Sequence, residues 1–97
     1  MKIYSDSSCS DQVFTLDLGT VDVGSSKHYE YYVKNDSNAQ LIDLKFSISH
    51  DEICMLQSPT VLEANEVGKV CFTYTPSMTL KEGLKTRLQI EGRQVWS

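Results

Sequence analysis

The sequence predicts an all-β domain, a sandwich of about seven antiparallel strands. Three observations lead to this class. Apolar and polar residues alternate with a period of two in several segments, no helical period persists over a useful length, and turn-forming residues recur at about every eight to twelve positions. Successive strand side chains point to opposite faces, so this period buries one row and exposes the other. With 97 residues, 40% of them hydrophobic, the chain is expected to form one domain with a real core.

The predicted organisation is an N-terminal segment or arm over residues 1–12, a sandwich over 13–92 and a C-terminal tail over 93–97. Residues 5–12 are small and polar, which is typical of a loop or of a flexible arm. Such an arm is either disordered or ordered against a neighbouring subunit. The chain turns polar directly after Ile3-Tyr4, so we expect no secretory signal, and no apolar run has the roughly 18 residues of a membrane span.

The first predicted strand covers residues 13–18, with Phe14, Leu16 and Leu18 on one face. Gly19 interrupts the alternation before Val21 and Val23 resume it. A glycine inside a strand pattern marks a bulge or a strand that changes sheets.

The strongest alternation lies in residues 28–34 and 41–49, which flank the polar turn 35–40. The rows predicted to face the core, on facing sheets, are Tyr29, Tyr31 and Val33 in the first strand and Ile42, Leu44, Phe46 and Ile48 in the second. The turn contains Asn35-Asp36-Ser37, an N-glycosylation pattern, but without a secretory signal we interpret it as an Asx turn.

Three further strands follow a brief apolar run at residues 53–56. They are a short strand at 60–62, a clear one at 69–75 with Val70, Phe72 and Tyr74 inward, and a last one at 84–91 that Gly92 closes. This number and spacing of strands is typical of an immunoglobulin-like sandwich. The single tryptophan, Trp96, lies at the C-terminus, so the Cys–Trp–Cys core of antibody domains is missing.

The formal net charge of −4 argues against non-specific nucleic-acid binding, which depends on lysine and arginine. The charge is unevenly spread: residues 1–66 carry four lysines and eleven acidic residues, whereas 67–97 carry five basic residues and two glutamates. Two interpretations remain open. Surface strands complement each other within the domain, or the domain is a dipolar module that docks head to tail with copies of itself or with a charged partner.

Three cysteines, Cys9, Cys54 and Cys71, show no paired spacing, so we expect reduced thiols rather than a disulfide framework. Residues 50–52 (His-Asp-Glu) with Cys54 form the densest group of candidate metal ligands, but the spacing matches neither a zinc site nor a catalytic cysteine signature. We therefore predict no catalytic, cofactor-binding or metal residues, and a domain that is not an enzyme.

Five residues are predicted to contribute to an interface. Tyr32 lies on the solvent row of its strand, and tyrosine is enriched at contact surfaces. Lys85 and Arg87 on the last strand either discourage wrong edge pairing or contact an acidic surface. Val95 and Trp96 follow the final strand, where the tryptophan either folds back onto its own sandwich or anchors in a neighbour.

The order of these signals resembles a known family. The segment 16–24 (LDLGTVDVG) precedes an alternating strand that ends in Lys34-Asn35-Asp36-Ser37, and residues 62–66 (LEANE) lead into 70–76 (VCFTYTP) and later into 88–92 (LQIEG). Over residues 14–92 the chain resembles the ASH/major-sperm-protein-like group of immunoglobulin-type domains, although Ala64-Asn65-Glu66 stands where that group usually has Pro-Gly-Glu.

The resemblance implies a non-enzymatic module for assembly and protein–protein contact. It points to a small virion protein such as a capsid decoration (cement) protein, whose partners would be capsid or other virion subunits and copies of itself, without nucleic acid, membrane or cofactor. Its location would be the virion, assembled in the host cytoplasm. The alternative is a cytoplasmic ciliary or cytoskeletal adaptor domain.

Overall fold

The computed structural model describes residues 2–77 and 84–95, and all regular elements in these ranges are strands. The eight strands are β1 (Lys2–Tyr4), β2 (Leu16–Gly19), β3 (Lys27–Lys34), β4 (Gln40–Ile48), β5 (Ile53–Gln57), β6 (Val67–Tyr74), β7 (Leu84–Thr86) and β8 (Leu88–Val95). The predicted all-β class is confirmed.

The strands form one large and two small antiparallel sheets. The large sheet has the order β1-β3-β6-β5, and the small sheets pair β2 with β7 and β4 with β8. Both small sheets pack against the same face of the large sheet, because the buried residues of β2 contact those of β6, and the buried residues of β4 contact those of β3 and β6. The domain is therefore a two-layer, sandwich-like structure.

The core consists of two apolar clusters, one beneath each small sheet. Leu16, Leu18, Val21, Phe72 and Tyr74 make up the first cluster, and Val33, Leu44, Phe46, Leu62 and Val70 the second. Tyr29 and Tyr31 stack on Phe72, with ring centroids 5.4 Å and 5.9 Å away.

The predicted inward rows of β3 and β6 are thus confirmed, and so are Leu44, Phe46 and Ile48 of β4. Ile42 was wrongly assigned to the core: the bulge between Ile42 and Lys45 shifts the alternation, and Leu41 packs against the second cluster instead. β3 and β4 lie in different layers as expected.

The N-terminal segment contains a strand that the sequence did not predict. β1 pairs with β3 at the edge of the large sheet, and the chain then returns so that the Val13 N–H donates to the Ile3 carbonyl at 2.8 Å. The loop between β1 and Val13 closes around the Asp6 carboxylate, which accepts hydrogen bonds from the hydroxyls of Ser8 and Ser10. These hydrogen bonds hold the pKa of Asp6 below its usual range.

Phe14 is not in the core, so that part of the prediction is wrong. Its side chain is 79% exposed, and Val13 packs partly against the first cluster instead. The bond from Val13 to Ile3 fixes the backbone here, and regular alternation begins only at Leu16, where pairing with β7 starts.

The last predicted strand is divided in the structure and longer than expected. β7 pairs with β2, Arg87 intervenes, and β8 pairs with β4 as far as Val95, which the sequence placed in the tail. Opposite β8, a bulge between Ile42 and Lys45 sets Asp43 at a φ of 53°, and the Asp43 carboxylate pairs with the Arg93 guanidinium. This pairing continues β8 beyond Gly92. Trp96 lies outside the described residues.

Candidate functional site

The outer face of the large sheet brings together polar side chains from its two central strands. The register sets Glu30 opposite Cys71, His28 opposite Thr73 and Tyr32 opposite Lys69. Because Val70 and Phe72 point into the core, the alternate residues of β6 face outward, on the same side as His28 and Glu30.

Glu30 is the electrostatic centre of this face. Its Oε1 accepts from the Lys69 ammonium at 3.1 Å and lies 3.3 Å from Nε2 of His28. Lys69 first, and then His28, lower the pKa of the Glu30 carboxyl, while Glu30 raises the pKa of Lys69. All three side chains are between 40% and 49% exposed, so solvent screens these contacts and they add little to stability.

Cys71 completes a group of potential metal ligands. It is a free cysteine and only 4% exposed, although it belongs to the outward row of β6. The ligand atoms of His28, Glu30 and Cys71 all lie within 4.8 Å of one another. In the described part of the chain, no group of this kind forms around His50 and Cys54, the cluster that the sequence singled out.

The His50 region has a local structural role instead. Nδ1 of His50 accepts the Glu52 N–H at 3.2 Å, and the ring meets Tyr74 edge-on with centroids 5.5 Å apart. The Cys54 side chain is exposed on β5. These contacts fit the turn that the sequence predicted for this segment.

The second notable feature is the edge of β8. β8 pairs with β4 along one edge, and no other described strand pairs with it along the opposite edge. Residues 91–95 are all exposed. The far edge of β4 is covered, because Leu41 and Leu62 exchange backbone hydrogen bonds of 2.8 Å and 2.9 Å, and the Leu44 N–H donates to the Thr60 carbonyl.

Four of the five residues predicted for an interface are described by the structure, and these four do not form one surface. Tyr32 is half-buried on the outer face of the large sheet, beside Tyr4 and Lys69. Lys85 and Arg87 are exposed on the other layer, and Val95 is 41% exposed at the end of β8. Trp96 cannot be placed with them, since it lies outside the described residues. A role for these residues in an interface stays a prediction.

Two groups were missed by the sequence reasoning. The first is the His28–Glu30–Cys71 cluster. The sequence shows that His28 and Glu30 share a face of their strand, but only the register of β3 against β6 brings Cys71 next to them. The exposed pair of Glu91 and Arg93 on β8 was divided between the last strand and the tail. In both cases the missing signal was strand pairing, which alternation does not encode.

No protein-family model, curated protein or solved structure matches this chain. No helix that could cross a membrane occurs among the described residues.

Proposed function

We propose that this domain is a non-enzymatic structural module that acts by protein–protein contact, and that a second copy of the chain pairs with it along the open edge of β8. The observation that carries the proposal is that β8 is paired on one side only among the described strands. An edge with unpaired N–H and C=O groups is a template for an added strand.

The charges of β8 favour a second copy as the added strand. When two β8 strands run antiparallel about a twofold axis at Gly92, Glu91 of each lies opposite Arg93 of the other. Each opposite-charge pair across strands contributes about 0.2–1 kcal/mol. An axis one residue earlier would place Glu91 of one copy opposite Glu91 of the other, which is unfavourable because the two carboxylates repel each other. Charge thus favours the register about Gly92 over the register about Glu91.

This pairing would join the two small β4-β8 sheets into one sheet of four strands across the dimer. Val95 would lie opposite Gln89 of the second copy, so one of the predicted interface residues falls inside the contact. Lys85 and Arg87 would flank it. Burial of the open edge in this way would make the domain a building block of a larger assembly.

We also propose that the fold is immunoglobulin-like. The order β1-β3-β6-β5 corresponds to strands A, B, E and D of that fold, and the β4-β8 pair corresponds to C and F. In this assignment the open edge of β8 is where the immunoglobulin fold has strand G. The second copy would then occupy the position of a strand that the described residues do not supply.

At the level of biological role, the resemblance to the ASH/major-sperm-protein-like group supports a small virion protein that decorates a capsid. Its partners would be capsid or other virion subunits. A cytoplasmic ciliary or cytoskeletal adaptor is the alternative. A decoration protein is expected to co-purify with a capsid in many symmetric copies, whereas an adaptor would pull down one cellular partner, and failure to bind capsids would count against the first role.

The self-pairing is tested by analytical ultracentrifugation over a wide range of protein concentration. The wild type is expected to dimerise, and Glu91→Arg is expected to weaken the dimer because the introduced arginine would then face Arg93 of the second copy. The exchange Glu91→Arg with Arg93→Glu, combined with Asp43→Asn so that the new glutamate does not face the Asp43 carboxylate of its own chain, restores opposite charges between the copies and is expected to recover association. Asp51→Arg makes the same charge change in an exposed turn and serves as the control.

A wild type that stays monomeric throughout would overturn the self-pairing. So would a dimer that Glu91→Arg leaves unchanged, because the copies would then meet through another surface.

A further inference from the structure

We propose that His28, Glu30 and Cys71 bind a divalent transition-metal ion of the zinc class on the outer face of the large sheet, with a fourth coordination position left open. Their ligand atoms lie within 4.8 Å of one another. An imidazole nitrogen, a carboxylate oxygen and a thiolate sulfur are the ligand types that zinc prefers. The site lies away from β8 and does not depend on the self-pairing.

One ligand–ligand distance already matches that of a bound ion, and the other two are no longer than 4.8 Å. Tetrahedral zinc, with bonds of about 2.0–2.3 Å, holds its ligand atoms about 3.4–3.6 Å apart. Nε2 of His28 and Oε1 of Glu30 are already 3.3 Å apart. The sulfur of Cys71 is within 4.8 Å, so small rotations of the exposed His28 and Glu30 side chains would close the site.

The backbone that carries the three ligands is well fixed. β3 and β6 pair without a register shift from Lys27↔Tyr74 to Lys34↔Val67, and both are inner strands of the large sheet. Ligands on rigid strands hold a site more accurately than ligands on loops. A metal bound here would link the two central strands.

Cys71 supplies the feature that separates this group from ordinary surface charges. Its thiol is almost inaccessible, yet it lies next to two exposed ligand groups. Binding replaces the thiol proton: the sulfur donates an electron pair to the metal, and the proton passes to solvent. No oxidation or reduction is involved.

Lys69 competes with the metal for Glu30. Its ammonium lies 3.1 Å from Oε1 of Glu30, where it occupies the carboxylate and repels a second cation. An incoming ion must displace it, so removal of the lysine charge should strengthen metal binding. A purely structural surface ion pair would not give this result.

The open fourth position would hold water or a ligand from another molecule. Zinc sites with three protein ligands keep such a position, whereas closed structural sites have four. In the described residues no further His, Cys, Asp or Glu belongs to this group.

Titration with Co²⁺ under reducing conditions tests the site, because cobalt bound by a thiolate gives a sulfur-to-metal charge-transfer band. The wild type is expected to bind one equivalent, with displacement by Zn²⁺. Cys71→Ser should abolish the band, and His28→Gln should lower the affinity by at least about 100-fold. Lys69→Met should raise it.

The matched control removes the same residue types elsewhere, with His50→Gln and Cys54→Ser combined, and is expected to leave the titration unchanged. Substitution of the buried Cys71 also affects stability, so the exposed variants His28→Gln and Glu30→Gln carry the decision, with the fold checked by circular dichroism. The proposal is overturned if the wild type gives no charge-transfer band. It is equally overturned if both exposed variants bind like the wild type, or if the band disappears in the control.

Discussion

The side-chain amide of Asn35 donates a hydrogen bond to the carbonyl oxygen of Leu62, at 3.1 Å and across 27 residues of chain. The same nitrogen also donates to the carbonyls of Ala39 and Glu63, and Oδ1 accepts the N–H of Ser37. Asn35 is 1% exposed, so these bonds are formed out of water. One side chain therefore ties the turn after β3 to the segment that precedes β6.

Replacement of Asn35 by alanine is expected to lower the free energy of unfolding by about 2–3 kcal/mol, because the buried hydrogen bonds of the side-chain amide are lost and the Ser37 N–H loses its acceptor. Urea denaturation measures the change. Asn38→Ala, in the same turn but exposed, is the control and should stay within about 0.5 kcal/mol of the wild type. If the two variants were equally stable, the hydrogen bonds of the Asn35 amide would not contribute to the connection between the turn after β3 and the segment before β6.

Part of this arrangement could be predicted from the sequence. Asn35-Asp36-Ser37 indicated an Asx turn, and the bond from the Ser37 N–H to Oδ1 of Asn35 confirms it. The partners of the side-chain nitrogen could not be predicted, since Leu62 and Glu63 are distant in the chain. The local sequence pattern predicts the turn, whereas the contacts of the Asn35 nitrogen with Leu62 and Glu63 depend on how distant segments pack together.

The same division holds for the strands and the candidate sites. A period of two identified which residues of β3 and β6 face the core, because alternation follows directly from the strand backbone. In β4 it failed at Ile42, where a bulge shifts the alternation and Leu41 packs against the core instead. The period of two also did not identify the pairing of β1 with β3 or the length of β8, since these depend on which edges meet. Cys71 shows the limit: its position in the outward row was evident, but its burial and its contact with Glu30 come from the neighbouring strands.

Tyr29 connects the two layers through its hydroxyl group, which donates to the Leu18 carbonyl at 2.5 Å. Tyr29→Phe removes this bond and keeps the ring that stacks on Phe72. We expect a loss of about 1 kcal/mol in urea denaturation. Tyr32→Phe makes the same change on the outer face and should have a smaller effect. Equal losses of stability in the two variants would mean that the hydrogen bond from Tyr29 to Leu18 adds nothing to the free energy of unfolding.

The tyrosines of β3 also predict a dependence on alkaline pH. Burial, as the largest cause, raises the pKa of both Tyr29 and Tyr31 above the ordinary tyrosine value of 10.0. The unfolded chain therefore loses these protons at a lower pH than the folded domain. Their contribution is fully present below pH 10.0 and is lost as the pH rises through the higher folded pKa values.

Urea denaturation at a series of pH values from neutral to above the tyrosine range checks this behaviour. The free energy of unfolding is expected to fall at the alkaline end. The fall should be smaller in the double variant Tyr29→Phe/Tyr31→Phe, which has no phenolic protons at these positions. An identical alkaline slope in the wild type and the double variant would contradict the assignment.

Gly92 fits closely against the bulge of β4, and this contact gives the last prediction. A Cβ atom at Gly92 would lie 2.6 Å from Cδ2 of Leu44 and 3.3 Å from the Ile42 carbonyl oxygen. Leu44 is buried in the second core cluster, so its side chain has little room to move. Gly92→Ala is therefore expected to destabilise the domain by about 1–3 kcal/mol, through overpacking.

A double-mutant cycle identifies the cause. If the alanine collides with Leu44, shortening that side chain with Leu44→Val should relieve part of the strain, and the combined variant should lose less stability than the sum of the two single variants. Gln89→Ala, an exposed change on the same strand, is the control and should stay within about 0.5 kcal/mol. Measurement at low protein concentration keeps any pairing of β8 out of the comparison. Strictly additive losses would show that Gly92 is needed for its backbone rather than for its contact with Leu44.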